Sequence, residues 1–534
     1  MIRNPILPGF NPDPSICRVG DEYFVATSTF EWQPGVRIHR SRDLANWELV
    51  ALPLDRADLL DMRGEPDSCG IWAPCLSYAD GLFWLVYTDV KRYDGNFKDA
   101  HNYVVAAPDV RGPWSARSHV NSSGFDPSLF HDDDGRKWFL NMMWDHRGGS
   151  VGGHPVAPSF AGILLQEWDP GTRRLVGAPR NIFAGSDLGL VEGPHLAKRD
   201  GWYHLTVAEG GTGYGHAVTM ARSRRIEGPY ELHPAKHVVT SKDAPDAALQ
   251  RAGHGQFVET PDGQVYMVHL CSRPLPGTRR SPLGRETAIQ RCVWRDGWLW
   301  LADGGATPAP EVAAPDPAAT TAAPKPERVD FRGLSRLPPA FQWLRTPEHA
   351  RIFALGEGGL RLFGRESIGS WFDQALVARR QEHHAYRAET EVTFDPASVQ
   401  QAAGLTTYYN RHKFFFCGVT LREGIGRCLT MFGCEGDWPD GRLTFHLAAP
   451  IPLPGDGAVG LAVECAGATQ RFQLRDGDGA WRDVGPALDA SLLSDEAGRG
   501  EHGSFTGNFV GMAAFDVTGG GRHADFARFD YEPR

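Results

Sequence analysis

Three acidic residues stand in short, turn-rich contexts: Asp13 in Asn11-Pro12-Asp13-Pro14-Ser15, Asp126 in Phe125-Asp126-Pro127-Ser128, and Glu192 in Val191-Glu192-Gly193-Pro194-His195. Two carboxyl groups across a cavity are what hydrolysis of a glycosidic bond requires. One must be protonated to donate to the leaving oxygen, and the other ionised to activate water or attack carbon. A third carboxyl in the same narrow space repels the others and keeps at least one protonated near neutral pH. Taken singly, each of the three is an ordinary turn residue, because Asp-Pro and Glu-Gly-Pro are common in turns. Their spacing argues otherwise.

Asp21 follows Asp13 by eight residues, and Asp134 follows Asp126 by the same interval, each beside an apolar run. Trp72 and Asp80, Glu192 and Asp200, and His254 and Asp262 keep that interval too. The five leading positions recur every 54–66 residues, a period that marks a propeller or solenoid. A strand, an Asp-Gly turn and an alternating aromatic and β-branched strand make a hairpin. Repeated hairpins of this length suit four-stranded blades around a central axis. Asp13, Trp72, Asp126, Glu192 and His254 are therefore expected to ring one mouth of a narrow channel.

The chain is all-β in character: a five-bladed β-propeller over 1–303, with blades near 4–56, 65–118, 119–183, 184–240 and 245–302. Residues 304–327, rich in Pro and Ala, read as a linker extended along a surface. From 328 to 534, short alternating segments such as Arg387–Phe394 and Lys413–Val419 suggest a β-sandwich. At 534 residues the chain is too long for one core. A net charge of −10 and a pI near 6.1 argue against nucleic acid and anionic membranes as partners. Nine cysteines without disulfide-framework spacing read as reduced, buried thiols of a cytoplasmic protein. The N-terminus lacks a basic region followed by an apolar one, and no apolar run approaches the roughly 18–20 residues of a membrane span.

Asn11-Pro12-Asp13-Pro14-Ser15, Gly70-Ile71-Trp72-Ala73-Pro74, Phe125-Asp126-Pro127-Ser128, Glu192-Gly193-Pro194-His195 and Leu283-Gly284-Arg285-Glu286-Thr287 together resemble glycoside hydrolase family 43. The closer resemblance is to its two-domain β-xylosidases, whose second domain is a jelly-roll or concanavalin-like sandwich. It extends through Phe341–Pro347 and Phe505–Gly511. The resemblance implies an inverting mechanism, with Asp13 as general base, Glu192 as general acid, and Asp126 raising the pKa of Glu192 and orienting it. It gives Arg285 to the sugar hydroxyls, and Phe30 and Trp72 to the pocket wall. Trp144 and Phe160 are further candidate contacts, and Phe505 a loop tip from the second domain that closes the pocket. No cofactor is required. The resemblance allows a calcium ion in the channel near His254, held mostly through water; His195 is expected to be structural. The implied substrate is a short xylo-oligosaccharide, cleaved from its non-reducing end, and a homo-oligomer is compatible with the sequence. The competing readings are an α-L-arabinofuranosidase, a retaining five-bladed hydrolase acting on fructosides, and a carbohydrate-binding propeller without catalysis.

Overall fold

Two-residue turns set the hairpins of the N-terminal half. Asp80-Gly81 and Asp200-Gly201 both have positive φ at each position (56° and 76°, 50° and 71°), the conformation that matches the twist of the flanking strands. Asp134 and Asp262 sit in longer loops, in which Asp132 N–H donates to Arg136 O and Thr260 N–H to Gln264 O. One sequence interval thus serves two turn geometries. The computed structural model describes residues 1–148, 157–476, 479–497 and 504–534, so 149–156 of the third blade lie outside the described residues.

Five four-stranded antiparallel sheets follow in chain order. Their innermost strands are Ser15–Val19, Gly70–Ala79, Ser128–His131, Glu192–Arg199 and Gln250–Glu259. Each innermost strand packs against the next, and Gln250–Glu259 returns to Ser15–Val19 to close the ring. No strand is exchanged between first and last blades. Closure rests on hydrogen bonds instead: Ile16 N–H to Gln256 Oε1 at 2.8 Å, Leu7 N–H to Thr287 O at 3.1 Å, and Thr287 Oγ1 to Asn11 O at 2.6 Å. The Pro/Ala-rich stretch is anchored to the propeller. Glu311–Val312 pairs with Ile2–Arg3, and Tyr266 Oη donates to Ala313 O at 2.9 Å.

The C-terminal half is a two-sheet sandwich around an apolar core that includes Phe341, Leu405, Phe415, Leu461, Phe472 and Phe526. One sheet runs from Phe353–Gly356 to Arg482–Asp489 through the long strand His523–Pro533. The other ends on a strand that is not its own. Trp32–Gln33, inserted between the second and third strands of blade one, pairs with Phe341–Leu344 in the register Trp343–Gln33 and Leu344–Trp32. The Trp32 ring, wholly buried, stacks on Phe509 at 3.7 Å and 10°. Next to it, buried Arg380 donates to Phe10 O and Gln342 Oε1 and lies over the Phe509 ring at 5.1 Å. The two halves therefore share a sheet and a core. No helix among the described residues is long and apolar enough to cross a membrane.

Trp32→Ala removes a large ring from this shared core and should cost about 3–5 kcal/mol. Urea unfolding should show a lower midpoint, with the sandwich tryptophans reporting the loss as clearly as the propeller does.

Candidate active site

At the head of each innermost strand the backbone turns left-handed, at Asp13 (φ 55°), Ala73 (36°), Asp126 (55°), Gly193 (57°) and His254 (47°). In the second, fourth and fifth blades the ladder slips at the same place, between Trp72 and Cys75, Glu192 and His195, and Gly253 and Gly255. Bulges of this kind re-aim side chains at barrel rims and beside active sites. Backbone held in a sparsely populated region is a feature of functional sites. In three blades the ring residue is itself left-handed; for Trp72 and Glu192 the next residue is. All five expected ring residues line one cavity of about 170 Å³, together with Phe30, Phe160, Arg285 and Phe505.

Both oxygens of Asp13 are engaged, Oδ2 by the Ser28 hydroxyl at 2.7 Å and Oδ1 by Arg285 Nη1 at 2.9 Å. Ser28 Oγ also accepts from Ala73 N–H at 2.8 Å, which ties the base of blade one to the rim of blade two. Arg285 is 2% exposed. Its Nη2 donates to Phe505 O at 2.8 Å, and its guanidinium lies 5.1 Å from the Phe30 ring centre. Its Nε is buried without a partner among the described residues.

Asp126 and Glu192 are joined through backbone, since Asp126 Oδ2 accepts from Gly193 N–H at 3.1 Å. Burial pushes Glu192 up to about 8, with the charge of Asp13 adding and Arg285 and Lys98 opposing. Burial also holds Asp126 well above the usual carboxylate range, reinforced first by Glu192 and then by Asp13. Repulsion between Asp126 and Glu192 is mutual, so each opposes the ionisation of the other. The geometric link from Asp126 is to the residue after Glu192.

The wall is aromatic. Phe30 and Trp72 lie 5.8 Å apart, Trp72 and Phe125 5.3 Å, and Trp72 and Phe505 6.0 Å. Trp72 Nε1 donates to Ser68 O at 2.9 Å, and Ser68 Oγ accepts from Phe505 N–H at 3.1 Å. Phe505 thus reaches from the sandwich onto the propeller cavity. Trp144, expected as a further contact, is not among the residues that line this cavity. It backs the wall at 5.3 Å from Phe160 and 6.2 Å from Phe125, because its indole N–H is drawn to Asn96 O at 2.8 Å.

Sequence reasoning missed Lys98, Phe125, Gly211 and Thr212 as lining residues. Phe125 adjoins Asp126 in a motif already noticed, so a signal existed. Lys98 lies between two strands of blade two, where no repeat marks it; its Nζ donates to Tyr93 O at 2.7 Å and sits 4.3 Å over Trp144. Burial lowers its pKa, and Glu192 opposes that shift. Thr212 is held through its carbonyl by Arg251 Nε at 2.7 Å.

His254 packs so closely on Gly193 that a Cβ there would lie 2.8 Å from the imidazole. Burial lowers its pKa, Asp13 raising it and Arg285 lowering it further. Among the described residues no three His, Cys, Asp or Glu side chains converge as direct metal ligands. The residues present form no protein cage for an ion, and no catalytic step is routed through one. His195 lies 6.0 Å from His254, its Nδ1 3.8 Å from Cys75 Sγ, beneath the cavity rather than in it.

Residues 2–299 match Glycosyl hydrolases family 43, and residues 328–532 match the Beta xylosidase C-terminal Concanavalin A-like domain. The chain is 56% identical to Xylosidase/arabinosidase 43B of Humicola insolens, over 100% of this chain and 98% of that one. It is 45% identical to Beta-xylosidase of Bacillus subtilis (strain 168), over the full length of both. The crystal structure of xylan beta-1,4-xylosidase from Bacillus halodurans C-125 superposes with a TM-score of 0.95 at 49% identity, each chain fully covered. Blades, sandwich and acidic cavity thus go together with these matches, and the chain belongs to glycosyl hydrolase family 43.

Proposed function

We propose that the chain is an inverting exo-β-xylosidase that releases xylose from the non-reducing end of β-1,4-xylo-oligosaccharides. The observation that carries this reading is the small cavity itself: three buried acids, one buried arginine, an aromatic wall, and a cover supplied by the second domain. The names of the similar proteins narrow the sugar to a pentose.

In this mechanism Glu192 gives its proton to the glycosidic oxygen as the bond to the anomeric carbon breaks. Water attacks that carbon from the opposite face, and Asp13 takes its proton. Asp13 ends neutral and Glu192 ionised, and exchange with solvent resets both. The fixed orientation of Asp13 between Ser28 and Arg285 suits a base that must hold one water in line. Glu192 has no hydrogen bond from protein to its carboxyl among the described residues, which suits a donor facing the ligand. Asp126, through Gly193 N–H, fixes the start of the strand that carries Glu192. Phe30 and Trp72 offer faces to the apolar C–H groups of the sugar, and the Arg285 guanidinium, which lines the cavity, donates to a hydroxyl. A hydrated divalent ion beside His254 fits this reading without taking part in any step.

A second activity, on α-L-arabinofuranosides, is favoured by the dual name of the relative at 56% identity. The two sugars place similar hydroxyls around the reacting carbon. A cytoplasmic location, with imported oligosaccharides as substrate, is supported by nine free cysteines, eight of them buried.

Glu192→Ala should lower hydrolysis of xylobiose by about 10²–10⁴-fold while largely sparing aryl xylosides with good leaving groups; a lectin would have no activity to lose. Proton NMR of the first-formed xylose should show the inverted anomer, and a retained one would make Asp13 a nucleophile. Glu192 keeps its proton below about 8 and loses it above. The rate on xylobiose should therefore fall about tenfold per pH unit beyond that point, as a pH profile of kcat/KM would record.

A further inference from the structure

A second cavity, of about 450 Å³, opens where the propeller meets the sandwich. Its walls include Asp67 and Tyr93 from blade two, and Trp371, Arg411 and Trp438 from the sandwich. Trp438 is 37% exposed, a large apolar surface left to solvent at the rim. The indole Nε1 of Trp371 is buried with no hydrogen-bond partner among the described residues. Arg411 lies 4.0 Å over the Trp371 ring and 6.0 Å from that of Trp438. Its Nε stands 3.5 Å from Asp67 Oδ2, longer than a charge-assisted hydrogen bond, whereas Asp67 Oδ1 accepts from Arg345 at 2.6 Å. Arg411 thus keeps donor capacity while its plane is held by aromatic contact.

Flat aromatic faces and a loosely engaged guanidinium form a set that recognises a neutral ring bearing equatorial hydroxyls. An apolar enclosure with a few convergent polar groups at a domain junction is the usual form of a small-ligand site. This cavity is divided from the acidic one by shared rings. Tyr93, which lines the second cavity, lies 5.8 Å from Trp72 and 5.5 Å from Phe505, both of which line the first. An occupant that shifts Tyr93 presses on the ring that covers the catalytic cavity.

We propose that this second cavity is a pentopyranose-binding site coupled to catalysis through Tyr93 and Phe505. The identity of the sugar rests on the reading of the enzyme as a xylosidase. The same chemistry is carried by the reducing-end units of a longer substrate and by free xylose, and the test has an arm for each.

The experiment compares the full chain with Trp438→Ala and Trp371→Phe, the latter keeping a smaller aromatic ring under Arg411. Calorimetric titration with D-xylose should show two binding events in the unaltered protein. The weaker event should be lost in Trp438→Ala and weakened about tenfold in Trp371→Phe. Hydrolysis of an aryl β-xyloside without added sugar should stay within about twofold in both variants. If the source is the substrate, kcat/KM for xylotetraose relative to xylobiose falls at least fivefold in the variants. If the source is free sugar, added xylose alters aryl xyloside turnover in a way that competition at one site does not describe, and the variants lose that component. A single binding event in the unaltered protein, or two events untouched by both substitutions, overturns the proposal. Absence of any xyloside hydrolysis by the unaltered protein would instead overturn the functional reading and leave the binding result to stand separately.

Discussion

Arg285 is the cation on which the arrangement depends. It is buried among three acids, holds Asp13 through one nitrogen and reaches the sandwich through another, at Phe505 O. A buried charge is costly unless it is paired and hydrogen-bonded. Here the pairing orients the proposed base, and the second bond seats the cover of the cavity. With one arginine against three carboxyls and a half-buried lysine at the edge, full ionisation is opposed, and a proton stays in the site. Catalytic readiness and domain contact thus share one side chain.

The rim geometry follows from the way the blades begin. Left-handed residues at the heads of the inner strands interrupt regular pairing before it reaches the axis. Such backbone is mildly unfavourable for non-glycine residues and persists because the surrounding structure over-determines it. At His254 and Gly193 the chains approach so closely that one of them has no side chain. The inner strands supply a rigid frame, and the reactive groups project from its distorted ends.

Much of this was legible in the sequence. The Asp-Pro pairs and the eight-residue interval found Asp13 and Asp126, and the same interval found Glu192, Trp72 and His254, because a repeat leaves its period in the chain. Arg285 and Phe505 came from resemblance alone, since neither sits at a repeated place. Lys98 and Ser28 were invisible for the same reason: each acts through contacts that have no sequence period. Trp144 read as a sugar contact because it is aromatic and near the right strand; the structure places its ring behind Phe160 and Phe125, with its N–H on Asn96 O. The insertion of Trp32–Gln33 into the sandwich sheet was equally hidden, for two residues are too few to show alternation. The interval also concealed a difference, in that Asp80 and Asp134 occupy distinct kinds of turn.

That borrowed strand has a consequence for how the molecule can be divided. A severed sandwich would present Phe341–Leu344 as a bare edge, an invitation to pair with other copies. A severed propeller would leave Trp32 facing water and its catalytic chamber unroofed. Neither half is a freely portable module, and recombination between relatives is better made within the loops of one half than at the boundary between them.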